Sequence, residues 1–359
     1  MRVFNFSPGP AAIPLPVLEK AQKEFLDFQG HGMSVIEMSH RGKVFESVYF
    51  KSLEDLRRLA NIPERFDILY MTGGASLQFA LIPMNLTVSR KAGYIHTGVW
   101  SEKAMEQAKI QNVAIHVAGD SSSTNHNHIP SSLQHVSGLD YLHMTSNNTI
   151  YGTQFHKLPD PGDTKLIIDM SSDFLSRPID WSKIGMVYAG AQKNAGASGL
   201  TVVIIDKEYY SREKKETPTL LRYSTFAKND SMYNTPPTFQ IYLFGLIVEW
   251  IEQTGGLAAM EKRNLEKADL IYDAIDSSNG FYIPHAVKND RSFMNITFNL
   301  ANKELESSFL KEAEASKLSG LKGHRLVGGM RASVYNAMSM EGCEALAKFL
   351  KEFAGKNKA

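Results

Sequence analysis

From residue 66 onward the chain reads as short apolar strands followed by helix-like stretches, and this alternation constrains the fold more than any other feature. Phe66 to Met71 (FDILYM) precedes TGGASLQF, Ala92 to His96 precedes a helix from Ser101, and Val113 to Val117 runs into a polar loop. Strand-helix alternation implies an α/β fold, a mostly parallel sheet with helices on both faces. The strand series continues at Asp140 to Thr145, Lys165 to Met170, Gly185 to Ala189 and Leu200 to Ile205. Open sheets of this kind place their ligands beyond the carboxyl ends of the strands. Side chains at those ends are therefore the first candidates for chemistry.

The flanks read differently. Residues 1 to 16 are irregular, with Pro8, Pro10, Pro14 and Pro16 and an SPGP turn (Ser7 to Pro10) that forbids regular helix. A helix is expected from Pro16 towards Phe28, broken by Gly30 and Gly32. The segment SVIEMSHRG then presents His40 and Arg41 on a loop ahead of a helix over Val44 to Leu59. Glu208 to Met232 is polar and reads as a surface excursion. NTPP (Asn234 to Pro237) leads into an apolar helix, Phe239 to Gln253, stopped by Gly255 and Gly256. A charged helix, Leu257 to Ile275, follows, and the domain boundary is expected near its middle. Beyond it come a strand (Met294 to Phe298), a helix (Lys303 to Leu318), a basic, glycine-rich loop GHRLVGGMRAS and a last helix, Met340 to Phe353. The expected division is an N-terminal segment, 1–15, a large domain, 16–264, and a smaller α+β domain, 265–359.

Composition narrows the partners. With 359 residues and 43% hydrophobic content the chain can bury a full core. Lys and Arg total 39 against 38 Asp and Glu, and no basic run suggests a nucleic-acid groove or an anionic membrane surface. Small molecules are the default partners. The single cysteine, Cys343, excludes an internal disulfide and any multi-cysteine metal site, which suits a reducing cytoplasm. MRVFNFSPGP lacks a secretory apolar core, and Ile241 to Ile251 is too short to span a bilayer and carries Glu249. The expected location is cytoplasmic. His126 and His128 lie among Ser, Thr and Asn, where a solvated loop is a simpler account than a metal site.

Lys193, in YAGAQKNAGASG, stands between two core strands and ahead of small residues that allow close approach to the backbone. Asp169 ends the strand KLIIDM, where it either serves a ligand or caps a turn. TGGAS (Thr72 to Ser76), between a strand and a helix, makes a phosphate cradle from glycines and free helix-terminal amides. It is not the dinucleotide fingerprint, and it lacks the lysine of a Walker A loop. A phosphate, a lysine and a strand-end aspartate together suggest pyridoxal phosphate: the lysine is the covalent anchor and proton shuttle, and the aspartate keeps the pyridine nitrogen protonated. Trp100, in HTGVW, has the reach to stack on such a ring, although core packing also explains it.

Eight ordered motifs carry a resemblance over essentially the whole length: NFSPGPA, SHRG, TGGAS, TGVWS, IDMSS, GAQKN, NTPPT and GHRLVGGMRASVYNAM. The chain resembles the phosphoserine aminotransferase family, pyridoxal-phosphate enzymes of fold type I related to small-substrate aminotransferases and cysteine desulfurases. The resemblance implies Lys193 as anchor, Asp169 at the pyridine nitrogen, Trp100 stacked on the ring and Thr149 at the ring hydroxyl. It implies Ala75, Ser76 and Gln192 at the cofactor phosphate, joined by Asn234 and Thr235 from the partner subunit of a homodimer. For the substrate it implies Arg331 at the α-carboxylate and His40, Arg41, His324 and Arg325 at a phosphate, several across the interface. No metal is implied. The implied reaction transfers an amino group between glutamate and 3-phosphohydroxypyruvate in serine biosynthesis. A related use of a four-carbon phosphorylated analogue in vitamin B6 synthesis accompanies it. A desulfurase would need a mobile loop cysteine, whereas Cys343 opens the final amphipathic helix.

Overall fold

In the computed structural model, which describes residues 2–357, the elements run in this order. A short strand β1 (Phe4–Asn5) and helices α1 (Leu15–Lys23) and α2 (Lys43–Leu59) lead into β2 (Phe66–Met71), α3 (Gly74–Leu86), β3 (Lys91–His96), α4 (Val99–Ile110) and β4 (Ala114–Asp120). Four strands follow: β5 (Leu142–Thr145), β6 (Leu166–Asp169), β7 (Ile184–Gly190) and β8 (Thr201–Asp206). Then come α5 (Lys207–Tyr210), α6 (Tyr223–Lys228), α7 (Thr238–Gln253), α8 (Gly256–Asp276), β9 (Tyr282–Pro284), β10 (Asn295–Leu300), α9 (Glu306–Ala315), β11 (Leu318–Ser319), β12 (Met330–Ser333) and α10 (Met340–Asn357).

Seven strands form one sheet in the order β2-β8-β7-β6-β5-β3-β4. Every pairing is parallel except those of β8, which runs antiparallel to both β2 and β7. The connection 191–200 is too short for a crossover, so β8 must return alongside β7 in the opposite sense. Side chains alternate between two cores. Ile68, Tyr70, Val187, Ala189, Val202 and Ile204 face a core shared with α2 and α7, while Leu69, Met71, Met186, Tyr188, Val203 and Ile205 face one shared with α3 and α4. That period of two, with both faces apolar, is why these strands read as unbroken hydrophobic runs.

Helix α8 spans two cores: Leu257 and Met260 belong to the first, and Ala268, Ile271 and Ile275 to a third built on β12-β10-β9, α9 and α10. The N-terminal strand joins this last unit, since β1 pairs in parallel with β11 and Phe6 is buried in its core.

Four local expectations are corrected. Helix α1 stops at Lys23 rather than Phe28: Glu24, at ψ 2°, already leaves the helical conformation, and Gln29 and Gly30 turn the chain further on at positive φ. Residues 208–232 are not a plain surface excursion: Tyr209, Tyr223 and Phe226 insert into the core over α3 and α4. Arg331 lies on a strand instead of a loop. Helix α9 spans only Glu306–Ala315, for Lys317 turns at φ 62° and Leu318 enters β11.

Candidate active site

Register brings the predicted residues to one edge. Thr145 is level with Asp169, Asp169 with Tyr188, and both Gly190 and Met71 with Thr201. The carboxyl ends of β2, β5, β6 and β7 therefore open on one edge, and the segments after them carry Ala75 and Ser76 in the first turn of α3, and Thr149, Ser171 and Lys193 outside helices and strands.

Lys193 follows β7 by three residues, in a turn whose carbonyl at Gln192 accepts the amide of Ala11 at 3.0 Å. Gly9 lies against its stem. A Cβ there would sit 3.2 Å from Lys193 Cγ, and the φ of +147° is one that L side chains rarely adopt. The amine stands 4.8 Å from the centroid of the Trp100 ring. Burial lowers its pKa below the ordinary lysine value; Asp169 and Asp173 oppose the shift and Arg331 adds to it. The amine is thus nearer its neutral, nucleophilic form than a surface lysine.

Asp169 is the last residue of β6 and is buried. Its Oδ1 accepts from the amide and hydroxyl of Ser171 at 2.9 and 2.7 Å, and Ser171 Oγ accepts the Gly190 amide at 3.0 Å. Among the described residues its Oδ2 accepts no hydrogen bond, so one oxygen is fixed and the other is available. Beneath it Asp173 is fully buried, bonded by Ser146 and Gln154 and 3.6 Å from Arg177; burial raises its pKa.

Trp100 sits in the first turn of α4, which Gly98 starts at φ +147°. Its Nε1 donates to Thr149 Oγ1 at 3.0 Å, and the Thr149 carbonyl accepts from Arg331 Nη1 at 2.8 Å. Thr149 thus links the aromatic ring to the guanidinium. Arg331, on β12 opposite Thr297, is buried and its Nε has no partner among the described residues. A buried donor without an acceptor calls for an anionic or carbonyl ligand.

At α3, Gly73 and Gly74 take φ of +87° and +65°, and no side chain caps the helix. The amides of Ala75 and Ser76 have no acceptor among the described residues, and the first turn carries no acidic residue. Gln192 is half-buried, its amide group folded back over Gly190. His324 is half-buried and close enough to Arg331, Arg325 and Lys103 for burial and their charges to lower its pKa, while Arg325 is exposed. Lys103 escaped the sequence reading. It lies one helical turn after Trp100, with Nζ 5.2 Å from that ring, and the spacing of three in WSEK was the available signal.

Four predicted residues stand apart in a single chain. His40 is half-buried with Nε2 unpartnered, while Arg41, Asn234 and Thr235 are exposed, and no hydrogen bond joins any of them to the Lys193 cluster. Among the described residues no group of three or more His, Cys, Asp or Glu could hold a metal. The His126 ring meets that of His96 edge to face with centroids 4.9 Å apart, shares a hydrogen bond with Ser121 Oγ at 3.2 Å, and burial pushes its pKa down to about 4.

The donor set fits pyridoxal phosphate: free helix-terminal amides for a phosphate, a desolvated amine, a carboxylate oxygen without a partner and an indole beside the amine. The family model for class-V aminotransferases matches residues 3–346. A phosphoserine aminotransferase of Geobacillus kaustophilus (strain HTA426) is 53% identical over 98% of both chains. The solved phosphoserine aminotransferase from Bacillus circulans subsp. alkalophilus superposes with a TM-score of 0.97 at 49% identity over 99% of each chain. The solved pyridoxal-phosphate-bound enzyme from Trichomonas vaginalis gives 0.93 at 42%, over 98% of this chain and 100% of that one. Matched end to end in sequence and in fold, this chain belongs to the class-V aminotransferases and, within them, to the phosphoserine aminotransferase family.

Proposed function

We propose that the protein is a pyridoxal-phosphate-dependent transaminase that moves an amino group between L-glutamate and 3-phosphohydroxypyruvate, giving 2-oxoglutarate and O-phospho-L-serine, in serine biosynthesis. The observation that carries the reading is the chain from the Lys193 amine to the Trp100 ring, to Thr149, to the Arg331 guanidinium, which sets a nucleophile and a carboxylate fork in one frame. Pyridoxal phosphate, when bound, supplies a sink for the electron pair left as the substrate α-proton departs. Lys193 anchors it and carries that proton at Nζ. Asp169 Oδ2 would hold a proton on the pyridine nitrogen, Trp100 would pack against the ring, and Thr149 would serve the ring hydroxyl. The amides of Ala75 and Ser76, with Gln192, take the cofactor phosphate. Arg331 takes the substrate α-carboxylate, and His324 and Arg325 its phosphate.

His40, Arg41, Asn234 and Thr235 complete the site from a second copy. Leu26 and Ile36 are 81% and 52% exposed and Phe25, Met33 and Phe50 are also exposed, all within a few turns of His40 and Arg41 in sequence, and a homodimer interface would cover such apolar side chains. Two divisions of the chain also belong to this reading: the boundary near residue 264, between the two cores that α8 spans, and residues 1–15 as a separate segment. No helix among the described residues is long and apolar enough to cross a membrane, and a cytoplasmic location accords with small-molecule substrates.

The test begins with purified protein reconstituted with pyridoxal phosphate. It should turn yellow, borohydride should fix the colour on the peptide containing Lys193, and O-phosphoserine with 2-oxoglutarate should yield glutamate. A protein that stays colourless, or that reacts with alanine while O-phosphoserine is inert, overturns the reading. Replacing His324 and Arg325 by alanine should selectively abolish turnover of the phosphorylated substrate.

A further inference from the structure

Lys267, on α8, is fully buried and forms no ion pair with any described carboxylate. Its ammonium donates to three backbone carbonyls of one turn: Val334 at 3.1 Å, Tyr335 at 2.7 Å and Met338 at 3.2 Å. Burial pulls its pKa down to about 7, Arg263 adding to the fall and Cys343 opposing it, while the three carbonyl acceptors match the three N–H donors of the charged form. A methionine would fill nearly the same volume without the desolvation penalty. What the ammonium adds is the orientation of three carbonyls.

The turn it grips lies between the two halves of the site. Residues 334–338 continue directly from β12, which carries Arg331. The Tyr335 hydroxyl donates to the carbonyl of Pro8 at 2.8 Å, and Pro8 precedes the glycine that covers the Lys193 stem. The Asn336 amide donates to Asn194 Oδ1 at 2.8 Å, and its side chain donates to the Leu175 carbonyl at 2.8 Å and accepts from Asn264. One turn therefore touches the neighbour of Lys193 in sequence, the segment laid over Lys193, and the strand of Arg331.

We propose that Lys267 is a positioning residue for the transamination, its ammonium fixing the 334–338 turn and so the placement of the Arg331 fork relative to the Lys193 amine. The proposal rests on the roles given above to Lys193 and Arg331. The test uses the reconstituted holoenzyme of wild type, Lys267→Met and Lys267→Gln. Because Arg331 lowers the pKa of Lys193, a displaced fork should raise the pH at which the visible absorbance of ligand-free holoenzyme changes. KM for both substrates should rise about tenfold, with a smaller fall in kcat. Lys267→Gln, which keeps two N–H donors, should fall between wild type and Lys267→Met. If Lys267→Met yields no folded holoenzyme, Lys267→Gln decides on the same two readings. A lowered Tm with KM and the absorbance midpoint both unchanged overturns the proposal and leaves the transaminase reading standing. An inactive wild type overturns both.

Discussion

Trp100 is held from two sides, by its hydrogen bond to Thr149 and by the backbone turn at Gly98. Trp100→Phe keeps an aromatic face but deletes the Nε1 donor, leaving Thr149 Oγ1 without that bond. It should lower kcat/KM about tenfold, on the scale of one hydrogen bond, with retained fold by circular dichroism. Gly98→Ala should do more harm, for its Cβ would stand 2.8 Å from Asn148 Nδ2 and 2.9 Å from the Tyr151 ring at φ +147°. A stability loss of about 2 kcal/mol in urea unfolding is expected from the overpacking and the strained backbone. The strand-end placement of Lys193 and Asp169 was legible in the sequence because apolar runs mark the strands. The link through Thr149 was not, since a threonine in a polar turn looks the same whether or not an indole reaches it.

Helix α2 illustrates what the pattern of residues conveys about an element and what it withholds. Its bounds followed from the sequence to within a residue. Asp55, a charged residue on a charged helix, gave no sign that it is buried between Lys51 and Arg58, nor that Arg58 reaches Glu252 on α7 at 2.7 Å. Burial acts to raise the Asp55 pKa, but the bonds and charges of Lys51 and Arg58 prevail and hold it below the usual carboxylate value. The folded state therefore binds this proton less readily than the unfolded chain. Its stabilising contribution is present above the ordinary aspartate pKa and is lost as pH falls through the depressed one. Asp55→Asn should lower Tm near neutral pH, and the difference from wild type should shrink on acidification through that window. A constant difference across pH would place the effect in packing alone. Strands β9 and β11 went unread for a simpler reason: two or three residues cannot display an alternation.

At the scale of the whole molecule, the expected parallel sheet was recoverable because both of its faces are apolar, while the antiparallel sense of β8 followed only once its short connection was seen beside β7. The assembly is tested at the same scale. Leu26→Asp combined with Ile36→Asp should convert a dimer to monomers in sedimentation equilibrium and remove activity, leaving each monomer folded. An unchanged sedimentation mass would exclude this surface from the interface. The pairing of β1 with β11 joins Phe4 to Leu318, and the segment behind β1 covers the Lys193 stem. The strand that leads into the segment over Lys193 thus pairs with a strand more than three hundred residues further along the chain. A polypeptide that ends before residue 318 lacks the partner strand that anchors this segment.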